Sequence, residues 1–406
     1  MAQFKHIAWL ITLSLASSMP LLAVNLLGVV AGKRMGLTNT VATLLPALLM
    51  LPMLAGRWLW RLPTRFNLLL TLIIGCEFLA AAVLGGVAFT LRMQLWLTSS
   101  MVLLTVLALA LPFHTVAAYR LYTRAAQTTG HTLTLGIRMA CYMVGFGVVM
   151  GLLVVMAGNL EVLTRNVNYA WSMAYYVAAG MMVALVVLNL LLLPMSRHLS
   201  RWHRPQIVRP SWQVMGLSFG FVLVELTLLM AFMLLLLDRF RHGGQNLSPQ
   251  ELGFVYGIVG SAALLVGAAA GYVLLRHVPQ RFLPWIIALG ALVPDLLLLY
   301  VSSTYDCHML AICVAVGAKS ICLGIAITCV LAWLTHLHLV GSASAPWLLH
   351  ITIVALVVAN GMCGWLTVHA GYNNVLTVLT VAGTLLPLLY VWYNRKEITN
   401  NNNNSL

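Results

Sequence analysis

Ser196-Arg197-His198-Leu199-Ser200-Arg201-Trp202-His203-Arg204-Pro205-Gln206-Ile207-Val208-Arg209-Pro210-Ser211 is the most basic stretch of a 406-residue chain, and it falls near the midpoint. With four arginines and two histidines it belongs in water. On both sides the character reverses. Across the chain 62% of residues are hydrophobic and 7% charged, and the mean hydropathy is +0.96. A soluble chain carries about 25% charged residues, so this one lacks the polar groups to cover a water-facing surface. That argues against a soluble enzyme, a disordered chain and a secreted disulfide scaffold. What remains is a polytopic helical membrane protein whose first partner is the lipid bilayer.

A bilayer core of about 30 Å takes about 20 apolar residues per helix. On that rule the spans fall at 7–31, 40–60, 66–91, 94–117, 133–157, 169–194, 212–237, 252–275, 284–302, 309–335, 347–369 and 373–393. An amphipathic stretch, Tyr119 to His131, separates the fourth from the fifth. The apolar run after Lys5 is too long for a signal-peptide core and reads as a retained first helix. Six spans on either side of a central basic loop give an all-α membrane protein of twelve transmembrane helices in two six-helix halves, the major facilitator layout. The chain divides into an N-terminal half (1–195), a basic central loop (196–211), a C-terminal half (212–393) and a polar tail (394–406) that contains five consecutive Asn residues and reads as disordered.

The net charge of +14 comes from 22 basic and 8 acidic residues. No compact basic domain exists to hold nucleic acid, and basic residues are enriched in cytoplasmic loops whatever the function. With the N-terminus inside, the inner segments hold fourteen Lys and Arg and the outer segments six, Lys33, Arg34, Arg92, Arg165, Arg239 and Arg241. Both termini are therefore expected to be cytoplasmic. The seven cysteines are scattered and form no CxxC pair, so no zinc, redox centre or other cofactor is expected. His336 and His338 lack further ligands for a metal.

The two halves echo each other. Met35-Gly36-Leu37-Thr38-Asn39-Thr40-Val41 follows the first span, and Asn246-Leu247-Ser248-Pro249-Gln250-Glu251-Leu252-Gly253 follows the seventh. Leu-Thr and Leu-Ser open a helix at matching places. Ser248, Pro249 and Glu251 have the order of an N-cap, a first helical residue and a capping-box acid. In the eighth span Gly253, Gly257, Gly260, Gly267 and Gly271 form one stripe, which lets another helix approach closely.

Ser17-Ser18-Met19-Pro20-Leu21, then Met35-Gly36-Leu37-Thr38, then Leu51-Pro52 with Arg57-Trp58-Leu59-Trp60, resembles the N-terminal pattern of the anhydromuropeptide permeases. Their relatives include siderophore and acetyl-CoA permeases of the major facilitator superfamily. Leu247–Arg276 also resembles their eighth helix. The resemblance implies secondary transport of a polar metabolite, such as a muropeptide or siderophore, across a cell inner membrane. The chain departs from the pattern in three places. Arg61-Leu62-Pro63-Thr64-Arg65 carries no acid where the family has Asp, Arg57 matches the family's Lys only with a one-residue shift, and the fourth span has no mid-span Arg.

Charges inside a bilayer are costly, about 2.5–3.5 kcal/mol each on insertion scales, so each calls for a reason. Glu77, Glu225, Asp295 and Lys319 lie mid-span in the third, seventh, ninth and tenth helices. A carboxylate taken out of water can carry a proton near neutral pH, which is the chemistry of proton coupling. The competing reading is a structural pair of Lys319 with Glu225 or Asp295. Secondary candidates are Arg57, placed to snorkel, His114 and His350 near span ends, and Asn25 and Asn360, which line a polar path or bridge helices. Asn189 shares that pair of readings.

No nucleophile elbow, phosphate loop or His-Glu-x-x-His is present, so no catalytic residue is assigned and an enzyme is not expected. The leading reading is a proton-coupled secondary transporter with a small-molecule substrate and protons as partners. An exporter on the same fold, a membrane enzyme or lipid-handling protein built on Tyr305-Asp306-Cys307-His308, and a non-transporting relative remain as alternatives. The topology is directly testable: a C-terminal green fluorescent protein fusion should fluoresce, and alkaline phosphatase at the same place should stay inactive.

Overall fold

A computed structural model describes residues 2–60, 66–192, 212–279, 282–336 and 345–393. The basic central loop, the Arg61–Arg65 segment, His338 and the Asn-rich tail lie outside the described residues. Among the described residues twelve helical spans follow one another: α1 (2–34), α2 (39–59), α3 (Phe66–Thr90), α4 (Trp96–Thr129), α5 (131–164), α6 (Val167–Leu192), α7 (Trp212–Leu237), α8 (249–277), α9 (Leu283–Ser303), α10 (Met309–His336), α11 (Ala345–Ala370) and α12 (Tyr372–Tyr393). Eleven are long and apolar enough to cross a membrane. The exception, α2, is apolar but shorter: Pro46 lies inside it and Pro52 opens a 3-10 turn at Leu51–Ala55, because each proline removes a backbone donor.

The fourth and fifth spans differ from expectation. The amphipathic stretch Tyr119 to His131 is not a separate connector. Its residues complete α4 and begin α5, and the only break is Gly130, at φ +90°. Arg120 belongs to α4, where it is fully buried and donates to the Trp60 carbonyl at 2.8 Å. A guanidinium that reaches the carbonyl of a neighbouring segment lets the helix run on where charge alone suggested a loop. α5 likewise continues past 157 to Thr164.

The halves are packed as repeats. α3 lies on α6 and α9 on α12, α1 on α5 and α7 on α11, α3 on α4 and α9 on α10. The echo seen in the sequence is geometric: Thr38 and Ser248 cap their helices with the same backbone angles, φ −68° and ψ 158°. The Ser248 cap closes a full capping box with Glu251.

The most extensive contacts between the halves are α2 with α11 and α5 with α8. At the second, π-helical turns at Gly147–Leu153 and Gly253–Gly260 cross. A Cβ on Gly257 would land on the backbone of Gly151. The glycine stripe of α8 is thus shared between two neighbours: Gly253 and Gly257 meet α5, while Gly267 and Gly271 meet α10.

Burial along the central helices is uneven. Residues 230–236 of α7 are all buried, as are 23–27 and 29–32 of α1. Residues 217–223 of α7 are all half-exposed. α7 is thus fully covered where it meets the α7–α8 connection, its closed end, and only partly covered over its first turns. Because the α5–α8 crossing has no room for a side chain, Gly257→Leu should lower stability by about 1–3 kcal/mol in thermal unfolding of the purified protein. Gly180→Ala, with nothing within 4 Å, should leave it unchanged.

Candidate functional site

In the C-terminal half, Asp295 follows Pro294 inside α9 and is 1% exposed. Lys319, on α10, reaches it: Nζ lies 2.7 Å from Asp295 Oδ1 and 3.0 Å from Glu225 Oε2 on α7, and it donates to Glu225 Oε1 at 3.2 Å. Three of the four primary candidates therefore form one cluster. Lys319 is shared, so the two alternative pairings anticipated from the sequence exist together. With all three groups ionised the cluster carries one net negative charge. Asp295 Oδ2 makes no hydrogen bond and faces Gly383 of α12, where a Cβ would stand 3.8 Å away.

In the N-terminal half, Glu77 of α3 is also 1% exposed. It accepts two hydrogen bonds from Asn189 Nδ2 of α6, at 2.9 and 3.0 Å, and lies 3.2 Å from His114 Nε2 of α4. An adjoining cavity of about 10 Å³, lined by Ala16, Pro20 and Cys76 among others, has room for about one water. The helix pairs α3–α4 and α9–α10 thus each join an acid to a base. Asn360 Nδ2 donates to Asn25 Oδ1 at 2.9 Å, so these two bridge α11 and α1 across the halves. His350 is half-buried in the first turns of α11. The Arg57 side chain lies outside the described residues.

The sequence reading missed a cluster at the closed end. Lys33 and Arg34 counted there only as outer-loop charges, yet both occupy the last turn of α1. Lys33 Nζ is 2.6 Å from Asp238 Oδ1. Asn39 Nδ2 donates to Asp238 Oδ2 at 2.7 Å, and the Tyr372 hydroxyl donates to the same oxygen. Two members come from each half. Arg34 pairs with Glu161 at 2.6 Å, and Trp171 Nε1 donates to the same carboxylate at 2.5 Å. The signal available was the rarity of acids: Glu161 and Asp238, two of eight, both stand at helix ends facing the Lys33-Arg34 turn. Burial works to raise the Asp238 carboxyl, but the hydrogen bonds from Lys33, Tyr372 and Asn39 outweigh it and hold the group below the usual carboxylate range.

No family model matches the chain, and no curated protein matches it in sequence. Solved structures do match in fold. A bacterial homologue of the human drug peptide transporters PepT1 and PepT2 is 13% identical with a TM-score of 0.68, covering 98% of this chain and 99% of that one. Tetrameric PepTSo2 is 12% identical with a TM-score of 0.66, covering 98% and 99%. The nucleoside transporter NupG is 11% identical with a TM-score of 0.62, covering 96% and 98%. The likeness is one of fold, and it spans both chains end to end. The chain shares the fold of these transporters: a multi-pass helical membrane protein with, among the described residues, twelve helical spans in two six-helix halves.

Asp238 gives a prediction with a definite sign. Because its folded pKa is depressed, its contribution is complete above the ordinary value of 3.8 and fades as pH falls below that. Asp238→Asn should cost about 3 kcal/mol by thermal unfolding. The gap from wild type should stay flat through neutral pH and narrow only in the acid range.

Proposed function

We propose that this protein is a secondary active transporter that moves a polar small molecule across a membrane, coupled to protons. The observation that carries the reading is Lys319 held between Glu225 and Asp295 in the interior of the C-terminal half. Two carboxylates share one ammonium, so the set is neutral only when it gains one positive charge. A proton on either carboxylate supplies that charge, and so does a cationic group on a substrate. Competition for one vacancy is the elementary requirement of coupling. Each state changes which carboxylate holds Lys319, and hence how α7, α9 and α10 are tied together.

The fold gives this exchange a use. The two halves are tied beside the α1–α2 and α7–α8 connections by Lys33, Asn39, Asp238 and Tyr372. Parallel repeats rocking about a central site are the general means of alternating access. Glu77 with His114 forms a second acid–base pair in the N-terminal half and is the further candidate for proton binding. The structures of like fold are named as peptide and nucleoside transporters, and both kinds of solute are polar. Import of a muropeptide or siderophore across an inner membrane, with both termini cytoplasmic, is the finer form of this proposal.

Proteoliposomes with the outside made acid, offered small peptides, nucleosides and muropeptides, test the reading. Wild type should accumulate one of these classes down the proton gradient. Asp295→Asn and Glu225→Gln should each cut accumulation by about tenfold or more, within the usual range of coupling energies, while keeping gradient-independent exchange. Wild-type transport indifferent to the gradient, or both variants matching wild type, would sink the proposal.

A further inference from the structure

Two turns into α5, Arg138 sits among aromatic rings. Its guanidinium carbon is 4.2 Å from the Tyr122 ring centre and 5.1 Å from that of Tyr119, both on α4. Tyr122 OH lies 3.4 Å from Ser17 Oγ on α1, so the cluster is set where α1, α4 and α5 meet. The frame continues outward. Trp60 stands edge-on to Tyr119 with centroids 5.1 Å apart, and Arg120 lies over Trp60 at 5.7 Å.

Among the described residues this cation pairs with no anion. Among the described residues no carboxylate, carbonyl or hydroxyl accepts a hydrogen bond from Arg138, and its Nε is buried without a partner. Nor does the chain have an acid to spare. Glu77, Glu161, Glu225, Asp238 and Asp295 are each engaged as described above, Glu251 closes its capping box, and Asp306 lies at the opposite end, in the α9–α10 connection. Glu397 alone lies beyond the described residues. A donor nitrogen buried without an acceptor is unfavourable, and Nε is such a donor in this half-buried side chain. Cation–π contact fixes the plane of an arginine without using its hydrogens. Arg138 therefore keeps its donors free in an orientation already set, which suits bidentate recognition of a planar or tetrahedral oxyanion.

We infer that Arg138, framed by Tyr119 and Tyr122, is a binding site for an oxyanion, the carboxylate or phosphate group of the transported solute. The inference rests on the transporter reading for what carries the anion, and on the residues alone for the site. It gives the solute an acidic group held in the N-terminal half, away from the Glu225–Lys319–Asp295 cluster.

The test is thermal unfolding of the full-length protein, with sodium phosphate or sodium acetate replacing chloride at matched ionic strength. In detergent, wild type should gain about 2–4 °C in either anion over chloride. Arg138→Gln should lose the gain, and Arg138→Lys, which keeps charge without the fork, should retain part of it. If Arg138→Gln does not fold, Arg138→Lys and Tyr122→Leu, which removes the ring under the guanidinium, carry the comparison, both with a reduced gain. A gain produced only by phosphatidylglycerol in nanodiscs, and abolished by the Arg138 variants, overturns the solute assignment and makes the oxyanion a lipid headgroup. No gain in wild type, or an equal gain in the variants, overturns the site. The measurement needs no transport, so its failure is separate from failure of the uptake experiment.

Discussion

A charge that leaves water must be met by another group of the same molecule, and this constraint organises the interior here. The chain has only eight acids, and the buried ones are placed where helices must be joined. Asp295 and Glu225 bind α9 and α7 to α10 through Lys319, Glu77 joins α3 to α4 and α6, and Glu161 and Asp238 fasten the end of α1. Apolar side chains give little preference for one helix arrangement over another when the surroundings are equally apolar. The paired charges supply the directional part of the packing, and they sit at corresponding helix pairs in the two halves.

Against these polar ties stand the glycine contacts. Where α5 crosses α8, backbone touches backbone at Gly151 and Gly257. Where α11 crosses α2, a Cβ on Gly364 would strike the Asn39 carbonyl. Smooth contacts of this kind bring the halves together without interlocking them. The interface thus combines close glycine contacts with polar ties, the Lys33–Asp238 cluster and the Asn25–Asn360 bond.

Much of this was legible in the sequence because membrane helices obey a simple length rule. Twelve spans, the caps at Thr38 and Ser248, and the mid-span positions of Glu77, Glu225, Asp295 and Lys319 follow from local composition. What was not legible is pairing over distance. Lys33 and Arg34 read as loop charges because a count of basic residues takes no account of what faces them. Arg120 read as part of a connector because nothing local to it announces the Trp60 carbonyl. Asn25 and Asn360 are separated by 335 residues, and spacing along the chain carries no information about such a bond. Local rules predict where helices lie, and only the assembled bundle shows which polar groups meet.

The latch at the closed end has a consequence for how the protein is made. Its members enter the membrane in the order Lys33, Asn39, Asp238, Tyr372, and the last is separated from Asn39 by 333 residues. The ammonium of Lys33 is synthesised long before its carboxylate and must wait at the membrane surface while six further helices, α2 to α7, are threaded. Arg34 waits less, since Glu161 arrives with α5. The early bundle is therefore born with one of these two cations answered and the other open. Completion of the twelfth helix is then a structural checkpoint, because a ribosome that stops short of Tyr372 leaves Asp238 without its third donor and the two halves without a finished seam.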